Sequence, residues 1–344
     1  MKVVRLAGTR TLKVFDEPMP TLSSDQVLLK VKAVGVCGSD LHRFRGYTFG
    51  DGDNTSMVLG HEFSATVLQI GENVTSVRPG DRVAVDAADS CGECEWCLKG
   101  QPNLCPYVNF CGLPDVEGAL REVMAWPARL LYPLPESLDY DDGVLAEVMG
   151  IGLHSVDLAQ MNPGQTVAVL GCGPIGLGVI ELVRKTTGAT LMVATDIIPE
   201  RLQAAESFGA DHVIHAEDES VVDRVMQITG GRGVDVVFEA AGVPDTLAQM
   251  IEIAAPGGNV VVIGIPEDDK IFFSAGPPRR KGLTLHFVRR SRFTYKRILT
   301  MMDKGIIDAR PMITHHFPLD QCQRAFDLVD RYEEGAIKVI IDIE

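Results

Sequence analysis

The chain has 344 residues, which exceeds one ordinary core and predicts two domains. Its formal net charge of -15 disfavours non-specific binding to nucleic acid. No apolar run has bilayer length, and Met1-Lys2-Val3-Val4-Arg5-Leu6 opens no signal-peptide core, so the sequence reads as a soluble cytoplasmic protein with no membrane partner.

Residues 26–34, 62–70 and 81–85 have strand composition and are punctuated by turns such as Arg78-Pro79-Gly80-Asp81. Strands without intervening helices predict a mainly β, barrel-like domain over residues 1–148, with a cysteine-rich lobe at about 88–110. Near residue 150 the pattern changes. Apolar runs at 166–170, 191–195, 213–214, 234–238 and 260–263 alternate with helical stretches at about 177–187 and from 198 to about 208. That alternation predicts a doubly wound parallel sheet, covered on both faces, over residues 149–285. Residues 286–344 return to the composition of the first domain. A helix is expected at 319–331 and a strand at 337–343, and that strand could pair with the N-terminal β domain and make it discontinuous.

The first constellation is Cys37-Gly38-Ser39-Asp40-Leu41-His42 with Gly60-His61-Glu62. Cys37, His61 and Glu62 could give zinc one sulfur, one nitrogen and one oxygen ligand. Three protein ligands plus water make an open site of catalytic type. Ser39 and His42 could then carry a released proton to solvent, since a hydroxyl both donates and accepts and histidine titrates near neutrality. Singly, each residue has an ordinary structural alternative, a buried thiol or a satisfied histidine.

The second constellation is Cys91-x2-Cys94-x2-Cys97-x7-Cys105. Four thiolates close a tetrahedral zinc shell and leave no position for chemistry, so this reads as a structural site. Disulfides and an iron–sulfur cluster are the competing readings, and the cytosolic setting favours metal over disulfides. Cys111, Cys172 and Cys322 are expected to be small buried residues.

The third is Gly171-Cys172-Gly173-Pro174-Ile175-Gly176, between a predicted strand and a predicted helix. Its glycines suit a tight turn, close approach of pyrophosphate and helix–strand packing. The helix N-terminus offers N–H groups to the anion. Asp196, twenty residues after Gly176, can accept from ribose hydroxyls and would repel a 2′-phosphate. NAD is therefore expected over NADP, although Arg201 could offset that repulsion. The competing reading is a glycine-rich turn with no ligand.

These motifs, with Gly60-His61-Glu62-Phe63 and Pro79-Gly80-Asp81-Arg82-Val83, resemble the zinc-dependent medium-chain alcohol dehydrogenase family over essentially the whole chain. Glu62, and Glu147 within Leu145-Ala146-Glu147-Val148-Met149-Gly150, resemble the sorbitol-type polyol and threonine dehydrogenase branch. The resemblance implies a GroES-like β-barrel catalytic domain built from both chain ends and a Rossmann domain between them. It implies catalytic zinc on Cys37, His61 and Glu62, with Glu147 beside the metal as a ligand or through water. It implies a second, structural zinc, a Ser39–His42 proton relay, and hydride transfer from a secondary alcohol to NAD(P). Homotetramers or homodimers are implied as well.

Ala65 departs from the family, many members having glycine there. The segment 289–295 is unusually basic through Arg289, Arg290 and Arg292 and could favour an anionic, sugar-acid-like substrate. Contacts with cofactor phosphate, solvent or a neighbouring subunit are the alternative. Tyr47, Phe110 and residues 289–295 are the expected walls of the substrate pocket. The leading expectation is oxidation of a polyol, sugar or similar hydroxylated small molecule, and the alternative within the class is a threonine-type amino alcohol. A silent NAD-binding scaffold would be expected to have lost ligands, and a zinc-free quinone reductase would need neither set.

Overall fold

Alternation in residues 26–35 sends every second side chain to one face of a strand, and Val27, Leu29 and Val31 are fully buried there. The computed structural model describes residues 1–47 and 56–344. Strand Gln26–Gly35 is the hub of a seven-stranded sheet. It pairs antiparallel with Glu62–Ile70, Val123–Pro127 and Lys338–Asp342. The sheet continues through Arg82–Val85 to Leu131–Pro133 on one side and to Ile313–Pro318 on the other. Burial of Phe63, Val83, Val85 and Ile341 between this sheet and its cover anchors the unit, each contributing about 1.5–3 kcal/mol. Ala65 is fully buried opposite Val31, beside a register shift between Val31 and Ala33.

The chain splits into a unit of Met1–Val148 with Arg292–Glu344 and a unit of Met149–Ser291. The pairing of Ile340 with Gly35 puts the C-terminal strand inside the first unit. The chain re-enters that unit at Arg292 rather than at 286, because Thr284–Phe287 is still the edge strand of the second unit's sheet.

The second unit holds six parallel strands in the order His212–His215, Leu191–Asp196, Thr166–Leu170, Val234–Glu239, Ala254–Val262, Thr284–Phe287. This is the Rossmann order, and it reverses between Thr166–Leu170 and Val234–Glu239. Val167, Ala168, Val169 and Leu170 are all fully buried, as a sheet covered on both faces requires. Helices Pro174–Thr186, Pro199–Phe208 and Pro244–Ile253 each begin with proline in the first turn, where a missing N–H costs no helical bond. This is why the first of them starts at Pro174 and not at 177. Among the described residues no helix is long and apolar enough to cross a membrane.

Candidate metal centres and dinucleotide site

Strand Gln26–Gly35 delivers Cys37 to the start of the short helix Gly38–Phe44, and strand Glu62–Ile70 begins directly after His61. Buried Asp40 ties the two segments together. Its Oδ2 accepts the Cys37 N–H at 3.1 Å, and its Oδ1 accepts the Gly60 N–H at 3.1 Å and lies 3.4 Å from His61 Nδ1. With Nδ1 so engaged, His61 Nε2 faces Ser39 Oγ at 3.4 Å, and Ser39 Oγ also lies 3.4 Å from Cys37 Sγ. Ligand atoms of Cys37, His61 and Glu62 all fall within 4.8 Å of one another. A carboxylate that orients the far nitrogen of a histidine is the usual support of a metal-binding imidazole.

Glu62 is anchored from the other end of the chain. Lys338 Nζ donates to Glu62 Oε2 at 2.6 Å and to the Val36 carbonyl at 3.1 Å, with both side chains only 1–2% exposed. Burial alone would lower the Lys338 pKa, but Glu62, Cys37 and Glu147 together outweigh it and raise the value. A Cβ at Gly35 would sit 2.2 Å from Glu62 Oε2, so only glycine leaves room for this carboxylate.

Glu147, on helix Tyr140–Ala159, is buried beside this group but outside the set within 4.8 Å. Burial pushes its pKa up to about 7, with His61 and Lys338 opposing and Glu62 adding to the rise. Burial disfavours the imidazolium of His61, yet Asp40 and Cys37 more than offset this and raise its pKa well above the ordinary range. Cys37, Glu62 and Glu147 act on one lysine and Cys37 and Asp40 on His61, a field suited to a divalent cation. The sulfur, nitrogen and oxygen donors fit zinc with a position left open.

Two expected pocket walls also reach this group. Phe110 packs on His61 with ring centroids 5.3 Å apart, and Tyr47 meets His42 edge-on at 6.1 Å. His42 lies three residues after Ser39 on the same helix. In the 289–295 segment, Arg290 and Phe293 have left-handed φ of 52° and 54°. Tyr295 is buried, stacks on Tyr132 at 4.9 Å and donates to the Val85 carbonyl at 3.0 Å, a packing role. Asp40 and Lys338 carried no assignment in the sequence. The signal for Lys338 was a lone cation inside the apolar run Ile337–Ile343.

In the lobe, Cys91 Sγ lies 4.0 Å from Cys97 Sγ and 3.6 Å from Cys105 Sγ, and Cys94 Sγ lies 3.8 Å from Cys105 Sγ. Four sulfurs about 2.3 Å from a central ion would stand about 3.8 Å apart, whereas a disulfide needs about 2.05 Å. All four are free thiols. Backbone N–H groups of Glu93 and Cys94 lower the Cys91 pKa to about 7, which eases the thiolate state. Trp96, Leu98, Leu104 and Tyr107 are exposed, so the lobe has little apolar core of its own. Cys111, Cys172 and Cys322 are buried away from this cluster.

In the second unit, Gly171 follows strand Thr166–Leu170 with φ 94°, and a Cβ there would meet Ala241 N at 2.8 Å. Gly173 is the N-cap of helix Pro174–Thr186 and supplies no capping side chain, so the first-turn N–H groups of Ile175 and Gly176 stay available to an anion. Asp196 ends strand Leu191–Asp196. Its Oδ2 accepts the Cys172 N–H at 2.7 Å, and its Oδ1 accepts the Ile197 and Ile198 N–H groups at 2.8 and 3.0 Å. A carboxylate offers about four lone-pair positions, so Oδ2 keeps capacity for a ribose hydroxyl. Arg201 Nη1 stands 4.0 Å from Asp196 Oδ2 and 4.0 Å from the Cβ position of Gly173. The loop, the helix end and the acid therefore fit a dinucleotide.

Comparison with known proteins identifies the family. Residues 23–136 match the family model "Alcohol dehydrogenase GroES-like domain", and residues 174–304 match "Zinc-binding dehydrogenase". The chain is 32% identical to sorbitol dehydrogenase of Bacillus subtilis, covering 99% of this chain and 97% of that protein. It is 34% identical to L-threonine 3-dehydrogenase of Bacillus licheniformis, covering 94% and 93%. Among solved structures, a zinc-binding dehydrogenase from Sinorhizobium meliloti bound to NADP superposes with a TM-score of 0.90 at 31% identity, covering 99% and 98%. The chain therefore belongs to the zinc-dependent medium-chain alcohol dehydrogenase family and is an alcohol-oxidising enzyme of GroES-like and Rossmann units.

Proposed function

We propose that this enzyme oxidises a secondary alcohol of a polyol, sugar or sugar acid to the ketone with NAD as acceptor, using a catalytic zinc held by Cys37, His61 and Glu62. The observation that carries this reading is the convergence of sulfur, nitrogen and oxygen donors within 4.8 Å, with Asp40 behind His61. When bound, zinc supplies a Lewis acid for the alcohol oxygen and the nicotinamide supplies the hydride acceptor. Ser39 takes the alcohol proton and passes it to His42, and Tyr47 and Phe110 shape the apolar side of the pocket. Glu147, buried beside the three ligands, stands next to the metal as a ligand or through water. A structural zinc on Cys91, Cys94, Cys97 and Cys105 pins the lobe. Gly171, Gly173, Pro174, Ile175 and Gly176 receive the pyrophosphate.

Asp196 at the end of strand Leu191–Asp196 supports NAD over NADP, while Arg201 beside it tempers the preference. Arg289, Arg290 and Arg292 support a substrate bearing an acid group. The 34% identity to a threonine dehydrogenase supports an amino alcohol as the second reading. Intact ligand sets weigh against a silent scaffold. The edge strand Thr284–Phe287, with Phe287 exposed, supports a homodimer or homotetramer. The test is metal analysis of purified protein together with NADH formation from polyols, aldonates, inositols and threonine. Two zinc ions per subunit with turnover of a hydroxylated substrate are expected. One zinc and no turnover on any of them would overturn the proposal.

A further inference from the structure

Strand Val234–Glu239 ends at the switch point of the second unit's sheet, where open α/β sheets bind their ligands. Its last residue, Glu239, pairs in register with Leu170 on one side and with Val262 on the other. Its side chain is wholly buried, with 0% exposure. An acid without a lysine or arginine partner at such a place needs a reason.

The reason is visible in its bonds. Glu239 Oε1 accepts the Ala241 N–H at 3.0 Å, the Gly242 N–H at 2.8 Å and the Thr246 hydroxyl at 2.7 Å. Among the described residues, Glu239 Oε2 is buried with no hydrogen-bond partner. The Glu239 carbonyl accepts the Ile263 and Gly264 N–H groups at 2.8 and 3.0 Å. One residue therefore holds the loops that leave two neighbouring strands. The first loop is clamped hard against others: Ala241 N occupies the space a Cβ at Gly171 would need, and a Cβ at Gly242 would meet Ile265 N at 2.7 Å. Thr246 sits in the first turn of helix Pro244–Ile253, whose N-cap residue Val243 supplies no capping side chain. Glu239 instead fixes this first turn through the Thr246 hydroxyl.

We propose that Glu239 is a positioning residue for the dinucleotide: by gripping residues 241–246 it shapes the wall of the switch-point crevice that faces the Gly171–Gly176 loop. The inference rests on the reading of that crevice as the cofactor site. Glu239 touches no reacting atom in this role. It holds the main chain at 240–242 against Gly171 so that the crevice is formed before the cofactor arrives, which saves ordering cost on binding. Burial outweighs the donors Thr246, Gly242, Ala241 and Gly264 and raises the pKa of this acid, so an uncharged amide is its conservative replacement.

The test is titration of zinc-loaded enzyme with NADH and NADPH by calorimetry, on wild type, Glu239→Ala, Glu239→Gln and Thr246→Val, with melting curves for each. Glu239→Ala is expected to weaken binding of the preferred cofactor by about tenfold, and Thr246→Val by about threefold, at unchanged zinc content. Glu239→Gln should retain most of the affinity, because its amide oxygen can still accept all three bonds. The Michaelis constant for the cofactor should rise while turnover at saturation changes little. A lower melting point with a smaller bound fraction but unchanged affinity per folded molecule would overturn the positioning role. If Glu239→Ala does not fold, unchanged affinity in Thr246→Val overturns it. Wild type that binds neither nucleotide would remove the cofactor site itself, and the inference with it.

Discussion

Lys338 Nζ lies 2.6 Å from Glu62 Oε2 although 276 residues separate them in the chain. Breaking a buried pair strands a charge, so Lys338→Met is expected to cost about 3–5 kcal/mol in chemical denaturation. Removing both charges in Lys338→Met with Glu62→Leu should recover much of that loss in the metal-free protein. A single variant as stable as wild type would show that the carboxylate finds another partner.

Gly35 supplies the second prediction. Its missing side chain leaves the space that Glu62 Oε2 fills, at 2.2 Å from a Cβ position. Gly35→Ala should drive the carboxylate out, lower zinc content from two ions per subunit towards one and reduce turnover by more than about tenfold. Full zinc content and full activity would show that the strand yields instead.

Cys37→Ala should abolish turnover while leaving NADH affinity within about twofold, since its thiol belongs to the first unit and the glycine loop to the second. Loss of turnover with retained lobe zinc, read by metal analysis, is the expected pattern. Activity surviving in a metal-verified variant would exclude the ligand role.

Asp196→Ala removes the acceptor of three backbone N–H groups as well as the proposed ribose contact. It should weaken NAD binding by about tenfold or more and narrow the NAD/NADP ratio, with Arg201 left to meet a 2′-phosphate. An unchanged ratio in direct titration would place the discrimination elsewhere.

Acid stability offers a prediction with a definite sign. Asp235 loses water on burial, which alone would raise its pKa, but bonds from Arg232 and from the Thr166 N–H and hydroxyl lower it below 3.8. A carboxyl whose folded value is depressed stabilises the fold above its unfolded value and loses that contribution as pH falls through the folded one. Asp235→Asn should therefore lower the melting point at neutral pH and reduce the difference from wild type below about pH 4. A constant difference across that range would remove the ionic contribution.

The candidate ligand groups were legible because chemistry fixes their residue types and spacing: Cys37, His61 and Glu62 lie together in one group and the four lobe cysteines in another. The parallel sheet was legible from uninterrupted apolar runs such as 166–170, and the pairing of residues 338–342 with the first unit from a strand left over after the last helix. Asp40 lay inside a motif yet went unassigned, because what orients His61 is a contact across twenty-one residues and not a spacing. Lys338 and Glu239 read locally as one charge at the edge of an apolar strand. Their partners are set by strand order, which periodicity does not encode. Ala65 looked like a perturbation, and its methyl is simply buried opposite Val31.

The placement of strand Lys338–Asp342 beside Gln26–Gly35 has a consequence for biosynthesis. Cys37, His61 and Glu62 are synthesised well before Lys338, so the Glu62 carboxylate waits for its counter-charge until the later strand has been made. Closure of this long-range strand pair is then the step that completes the centre, and metal insertion is expected to follow synthesis of Lys338–Asp342 rather than precede it.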